Sequence, residues 1–176
     1  MTNLIDVSFS SEGNEAIDLT YVKSFASIST TTHDTLLTNL IKAARIEIEN
    51  LAQISVITKT VRAEWSYVSE SVVLPYPKIG AITSLVSGTT TLVLDTDYTV
   101  RGFVKKTIYG TFSSGLVATY AAGYGSDTPE DLKMCMAKHV LESFEQRTGI
   151  STSASNLLPN NWRTTALNYR PTWIMF

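Results

Sequence analysis

A single cysteine, Cys135, stands in the chain of 176 residues, so no intramolecular disulfide can form and no cluster of thiolates can hold a metal. Histidine is almost as scarce, and His33 and His139 fall in no metal-ligand spacing. No apolar run approaches the roughly 20 residues that a membrane span needs. The opening Met1-Thr-Asn-Leu-Ile-Asp6 has neither the basic nor the apolar stretch of a signal peptide, so synthesis in the cytoplasm and no membrane partner are expected. An excess of either charge is missing too, the formal net charge being -2. Lys105-Lys106 is a doublet, and Arg147, Arg163 and Arg170 are scattered. This distribution argues against a protein that grips nucleic-acid phosphates.

Catalytic constellations are equally hard to find. Cys135 and His139 are four residues apart and would share a helix face, but a nucleophile among Met134, Met136 and Ala137 has poor access. A buried, inert thiol is the expectation. Glu47 and Glu49 point to different faces of one helix, and Asp95 and Asp97 suit a hairpin turn, where Asp bonds its own backbone. Gly123-Tyr-Gly125 lacks the Lys-Ser/Thr of a phosphate loop, and Asp127, Glu130 and Asp131 would repel a phosphate at the following helix. No catalytic, metal-binding or cofactor-binding residue is assigned, and the chain reads as a non-enzyme.

What is present is ordered. The polar residues 1–17 show no convincing period and read as a loose arm. Asp18 is a good N-cap for a short helix carrying Leu19, Val22, Phe25 and Ala26. A long helix follows from His33-Asp34 to about Gln53, with Leu36, Leu37, Leu40, Ile41, Ala44, Ile48 and Leu51 in one apolar stripe. Arg45 and Glu49 are read as a surface pair worth tenths of a kcal/mol at most. From Ile54 the pattern becomes β-branched and partly alternating, and short strand candidates succeed one another to Ala121. They are Ile54–Trp65, Ser71–Leu74, Ile79–Val86, Thr91–Leu94, Tyr98–Val100, Phe103–Tyr109 and Leu116–Ala121. Their spacing suggests an antiparallel meander or a small barrel-like sheet. Thr128 with Pro129 opens a third helix, which carries Leu132, Met136, Val140 and Phe144 and runs to about Thr148. Residues 149–176 are polar with little helical period, yet they end in Tyr169-Arg-Pro-Thr-Trp-Ile-Met-Phe176. Exposed aromatic ends are costly, so this terminus is expected to dock on the chain itself or on a partner.

Four stretches in this order resemble one family. Leu36-Leu37, Ile41-Lys-Ala-Ala-Arg45 and Glu49-Asn50 match its long helix, and Leu74-Pro-Tyr-Pro77 with Ile82-Thr-Ser-Leu-Val86 its proline-bearing strand link. Val117-Ala-Thr-Tyr-Ala-Ala-Gly-Tyr-Gly125 and Thr128-Pro-Glu-Asp-Leu-Lys133 match the passage into the last helix, which closes on Glu145-Gln-Arg147. Over about residues 18–148 the chain is similar to the head–tail connector (adaptor) proteins of long-tailed double-stranded DNA bacteriophages.

The resemblance implies an α+β fold: a helical core with an inserted antiparallel β-sheet. The domain would span 18–148, the insertion about 54–121, and the extended C-terminal tail 149–176. It implies a ring of about twelve subunits, closed by a head-to-tail contact, in the virion neck. The ring would be made in the host cytoplasm, lie beneath the portal protein, and meet a stopper or tail-completion protein on its other side. Double-stranded DNA would pass through the lumen without sequence recognition. Tyr169, Arg170, Trp173, Ile174, Met175 and Phe176 would bind the portal, and Leu37, Ile41, Arg45 and Ile48 would face a neighbouring subunit. The competing readings are another neck ring (stopper-like or tail-completion) and a ligand-binding β module presenting Trp65, Tyr67 and Tyr76.

Overall fold

The computed structural model describes residues 4–103, 105–112, 115–146 and 161–172. They form an α+β fold of four helices and antiparallel sheets, in two compact units that the chain enters by turns. Of the described residues, the helical unit is built from 14–56, 125–146 and 161–170, and the β unit from 4–13, those between 57 and 124, and 171–172.

In the helical unit, α1 (Leu19–Ala26) starts where expected, the Asp18 Oδ1 accepting from the Tyr21 N–H at 2.7 Å. It stops at Ser27, whose left-handed φ of 56° turns the chain while the Ile28 N–H donates back to the Lys23 carbonyl. Helix α2 (Asp34–Ala52) buries Leu37, Ile41, Ala44, Ile48 and Ala52 along one side, as its spacing predicts. Leu36 is exposed, and Leu40 and Leu51 are half-buried, so the stripe is narrower than the sequence suggests. Helix α3 (Glu130–Glu145) buries Leu132, Met136 and Val140. Thr128 is not its cap. Pro129, with ψ 144°, holds the cap position, while the Thr128 hydroxyl donates to the Gly125 carbonyl at 2.7 Å. Helix α4 (Asn161–Asn168) lies in the region read from sequence as an aperiodic tail. The ends flanking the β insertion meet, the Gly125 N–H donating to the Val56 carbonyl at 2.9 Å.

The β unit contains β1 (Leu4–Glu12), β2 (Lys59–Trp65), β3 (Ser71–Val73), β4 (Ile79–Ser87), β5 (Thr90–Thr91), β6 (Tyr98–Arg101), β7 (Thr107–Gly110) and β8 (Leu116–Ala122). They form a five-stranded sheet, ordered β1-β2-β8-β4-β5, and a three-stranded sheet, β3-β7-β6. The central strands alternate: Val61, Ala63 and Trp65 of β2 and Leu116, Ala118, Tyr120 and Ala122 of β8 all point inward. Register places Val61 opposite Tyr120 and Trp65 opposite Leu116. Val72, Leu74, Leu85 and Ile108 complete this core, each such side chain stabilising by about 1.5–3 kcal/mol when fully buried. The Tyr120 hydroxyl, drawn inside with them, donates to the Pro75 carbonyl at 2.7 Å.

Three expectations change here. The expected loose arm contains strand β1, paired along β2, with Phe9 edge-on to Tyr76 at 5.1 Å and Lys59 over its ring. The strand expected from Ile54 begins at Lys59, because Ile54, Val56 and Ile57 are all buried where the chain leaves the helical unit. The sheet is not a sequential meander: β8 lies between β2 and β4, so the insertion's first and last strands are neighbours. No closed barrel forms among the described residues. Gly123 ends β8 with φ +123°, and a Cβ there would meet the Ile57 carbonyl oxygen at 2.1 Å.

Candidate assembly surfaces

Leu37, Ile41, Arg45 and Ile48, the positions expected to face a neighbouring subunit, are all covered by the chain's own packing. Arg45 is fully buried, not a surface residue. Its Nη1 donates to Glu49 Oε2 at 2.8 Å and its Nε to Glu15 Oε2 at 2.9 Å. Glu49 also accepts the Val56 N–H on Oε1 at 2.8 Å. Burial works against the Arg45 charge, but the field of Glu49 and the bonds to both carboxylates outweigh it and raise the pKa. The triad therefore ties α2 to the segment before α1 and to the chain leaving the helical unit. A sequence signal existed: Arg45 follows Ile41 by four residues, in line with the apolar stripe.

The C-terminal residues divide. Tyr169 is half-buried and its hydroxyl donates to Asp131 Oδ1 at 2.5 Å, within the helical unit. Arg170 is exposed. Trp173, Ile174, Met175 and Phe176 lie outside the described residues. What anchors this end is Trp162, which the sequence reading passed over. Its indole stacks on the His139 ring at 3.9 Å, and its Nε1–H donates to Glu142 Oε2 at 2.7 Å. His139 Nε2 in turn lies 2.7 Å from Glu47 Oε2, and Arg163 covers the other aromatic partner at 4.8 Å from the Trp162 ring. The carboxylate of Glu47 thus serves α4 while that of Glu49 serves the interior, in keeping with their opposite faces.

Apolar surface remains exposed in both units. In the helical unit it includes Phe25, Leu36, Ile46, Met134 and Leu167. In the β unit Val93, Leu94 and Tyr67 are at least half exposed, and Phe103, in the loop joining β6 and β7, is 91% exposed. Two shallow adjoining hollows flank α1. One is lined by Asp18, Tyr21 and Phe25, the other by Leu19, Ile28 and Asp34, and both share Thr20 and Ser24.

The polar groups singled out for chemistry have structural partners. The Cys135 thiol is buried and donates to the Trp162 carbonyl at 3.0 Å, away from His139, and burial pushes its pKa up to about 11. Asp97 Oδ2 accepts the Val93 N–H at 2.8 Å, the turn bond expected of it. Gly123 and Gly125 take positive φ to make the bend after β8. Among the described residues no group of His, Cys, Asp and Glu could hold a metal ion, and no helix is long and apolar enough to cross a membrane.

Known proteins share this architecture. A chain in the neck of an empty gene transfer agent particle, solved with C6 symmetry, has a TM-score of 0.76 at 15% identity, with 97% of this chain and 98% of that chain covered. A chain in the virion of a native gene transfer agent particle gives 0.75 at 15% identity, and one in a native neck solved with C12 symmetry gives 0.74 at 14%, both with the same coverage. At such identities the likeness is one of fold. No curated protein matches the chain in sequence. The sequence profile of the head completion protein family, however, matches residues 15–156, across α1, α2, the β insertion and α3. The chain belongs to the head completion protein family.

Proposed function

We propose that the chain is a structural head–tail connector, or adaptor, of a tailed-phage neck: a ring subunit below the portal that continues the DNA channel and joins head to tail. The observation that carries this reading is family membership over residues 15–156. A fold shared along 97% of the chain with a neck protein supports it. The helical unit favours an adaptor over a stopper, for which a mostly β chain would be expected. Neck structures solved with sixfold and twelvefold symmetry support a cyclic ring, here of twelve copies. Leu37, Ile41, Arg45 and Ile48 would act from inside, fixing α2 so that its exposed Leu36 and Ile46 meet the neighbour. A net charge of -2 suits a conduit through which double-stranded DNA slides without recognition, since a strongly basic lumen would hold it back.

The portal would take the C-terminal end. α4 brings Tyr169 and Arg170 to the start of this segment; with Trp173 they are the residue types that dominate interface energies, and Ile174, Met175 and Phe176 add apolar surface to bury. A stopper or tail-completion protein would bind the opposite side of the ring. The test is cryo-electron microscopy of the chain mixed with its portal, beside a variant lacking residues 169–176. A ring under the portal for the full chain, and a folded but unbound truncated chain, is the expected result. Equal binding by the truncated chain would remove the tail from the mechanism. A chain that ignores the portal but joins a tail tube would be a tail-completion protein instead.

A further inference from the structure

We propose that the loop carrying Phe103 is a knob that seats, in the assembled ring, in the hollow beside α1 of the adjacent copy. The inference rests on the ring reading above and assigns the residues of its repeating contact. Phe103 is 91% exposed, a costly position for a phenyl ring in a monomer. The residue before it and the base of the loop are held. Gly102, with φ +96°, curls the backbone so tightly that a Cβ would lie 2.0 Å from the Lys105 carbonyl oxygen. The base of the loop is pinned as well: the Leu74 N–H donates to the Lys106 carbonyl at 3.1 Å, and Lys106 Nζ donates to the Gly80 carbonyl at 3.1 Å. Constraint at Gly102 and at Lys106 lowers the ordering cost of seating Phe103, which favours binding.

The occupant and its seat match in chemistry. Arg101 and Lys105 flank Phe103 and are exposed, and no acidic residue lies between 101 and 106. The hollows along α1 offer the part-exposed rings of Phe25 and Tyr21 with the carboxylates of Asp18 and Asp34, the latter already paired with Lys23 of the same hollow, so that the net charge of the seat is negative by one. Each carboxylate already makes one bond, Asp18 to the Tyr21 N–H and Asp34 to Lys23, and each retains lone pairs for a second donor. Knob and seat are different patches of one sequence, so the contact is heterologous. Repeated about an axis, such a contact closes a ring, whereas a self-complementary patch would stop at a dimer.

Paired cysteines test this on the full chain assembled on its portal. Oxidation of Lys105→Cys with Ser24→Cys, which keeps both aromatic rings in place, should give a ladder of covalent multimers ending at the ring, while either single variant gives no ladder. Cys135 does not interfere, being buried. Phe103→Ala, a surface change that leaves folding intact by circular dichroism, should raise the concentration for half-assembly at least tenfold, and added salt should raise it further. If rings form but the double variant gives no ladder, or Phe103→Ala assembles as the parent does, the knob is wrong and the connector reading stands. If Phe103→Ala assembles normally but loses a stopper protein or DNA, the loop serves that partner and the proposal falls. If the parent chain forms no ring on its portal, the connector reading itself fails and the knob with it.

Discussion

Arg45 shows how far a single side chain can bind a fold together. Its guanidinium is fully buried, with Glu49 beside it and Glu15 partly exposed to solvent. Removing one partner of such a pair strands the other in low dielectric, at a cost of about 3–5 kcal/mol. Arg45→Met should therefore lower the urea midpoint sharply. Adding Glu49→Gln, which removes the stranded charge and keeps an acceptor for the Val56 N–H, should recover part of the loss. Two variants of equal stability to the parent would show that the charges carry no weight. Cys135 gives a prediction of a different kind. Its folded pKa is raised by burial from 9.0 to about 11, so the unfolded chain loses this proton first as pH climbs. The thiol's contribution to stability is complete below about 9 and is lost as pH rises through about 11. The stability difference between the parent and Cys135→Ala should accordingly shrink over that window, and Ellman's reagent should react at neutral pH only after urea is added. Rapid labelling of the native chain would contradict the burial of this group.

At the scale of elements, α4 is held by docking and not by its own sequence. Eight residues are too few for a helix that is stable alone. Its order comes from Trp162, stacked on His139 and bonded to Glu142. Trp162→Ala should leave the α4 amides exchanging at least tenfold faster with solvent, while those of β2 and β8 keep their protection. Unchanged exchange in α4 would mean that other contacts suffice. The same physics explains what the sequence could and could not reveal. α2 was legible almost to the residue, because its 3.6-residue period is local information, and so was the start of α1 at Asp18. α4 was not, since the contacts that stabilise it lie far off in the chain. β1 did leave a local mark, Ile5, Val7 and Phe9 alternating with Asp6, Ser8 and Ser10, but the run is short and passes straight into polar residues, so it reads as part of an arm. The placing of β8 beside β2 was hidden because pairing between distant segments leaves no local mark. Of the candidate site, the aromatic end was conspicuous in composition. The inward direction of Leu37, Ile41, Arg45 and Ile48 could not be told from an outward one, since a stripe facing the chain's own core and one facing a neighbour have the same period.

On the scale of the whole molecule, the insertion joins the helical unit at two points that touch, the Gly125 N–H meeting the Val56 carbonyl. A chain in which residues 57–124 are replaced by a short glycine-containing turn should keep the helical unit, because the cut ends need not be pulled together. Helical circular dichroism with a cooperative thermal transition is the expected outcome, and a spectrum of disordered chain would show that the helices depend on the sheet. The β unit, for its part, faces a hazard at its rim. β1 is a nine-residue strand at the sheet's edge, with one side unpaired among the described residues, and such an edge is a template on which further strands can add. Its pairing with β2 is interrupted at Leu4/Asp6 and again at Ser10/Glu12, and such irregularities kink and twist an edge out of line. Each interruption in β1 is thus a place where a second copy's strand, laid along the same edge, would lose its register.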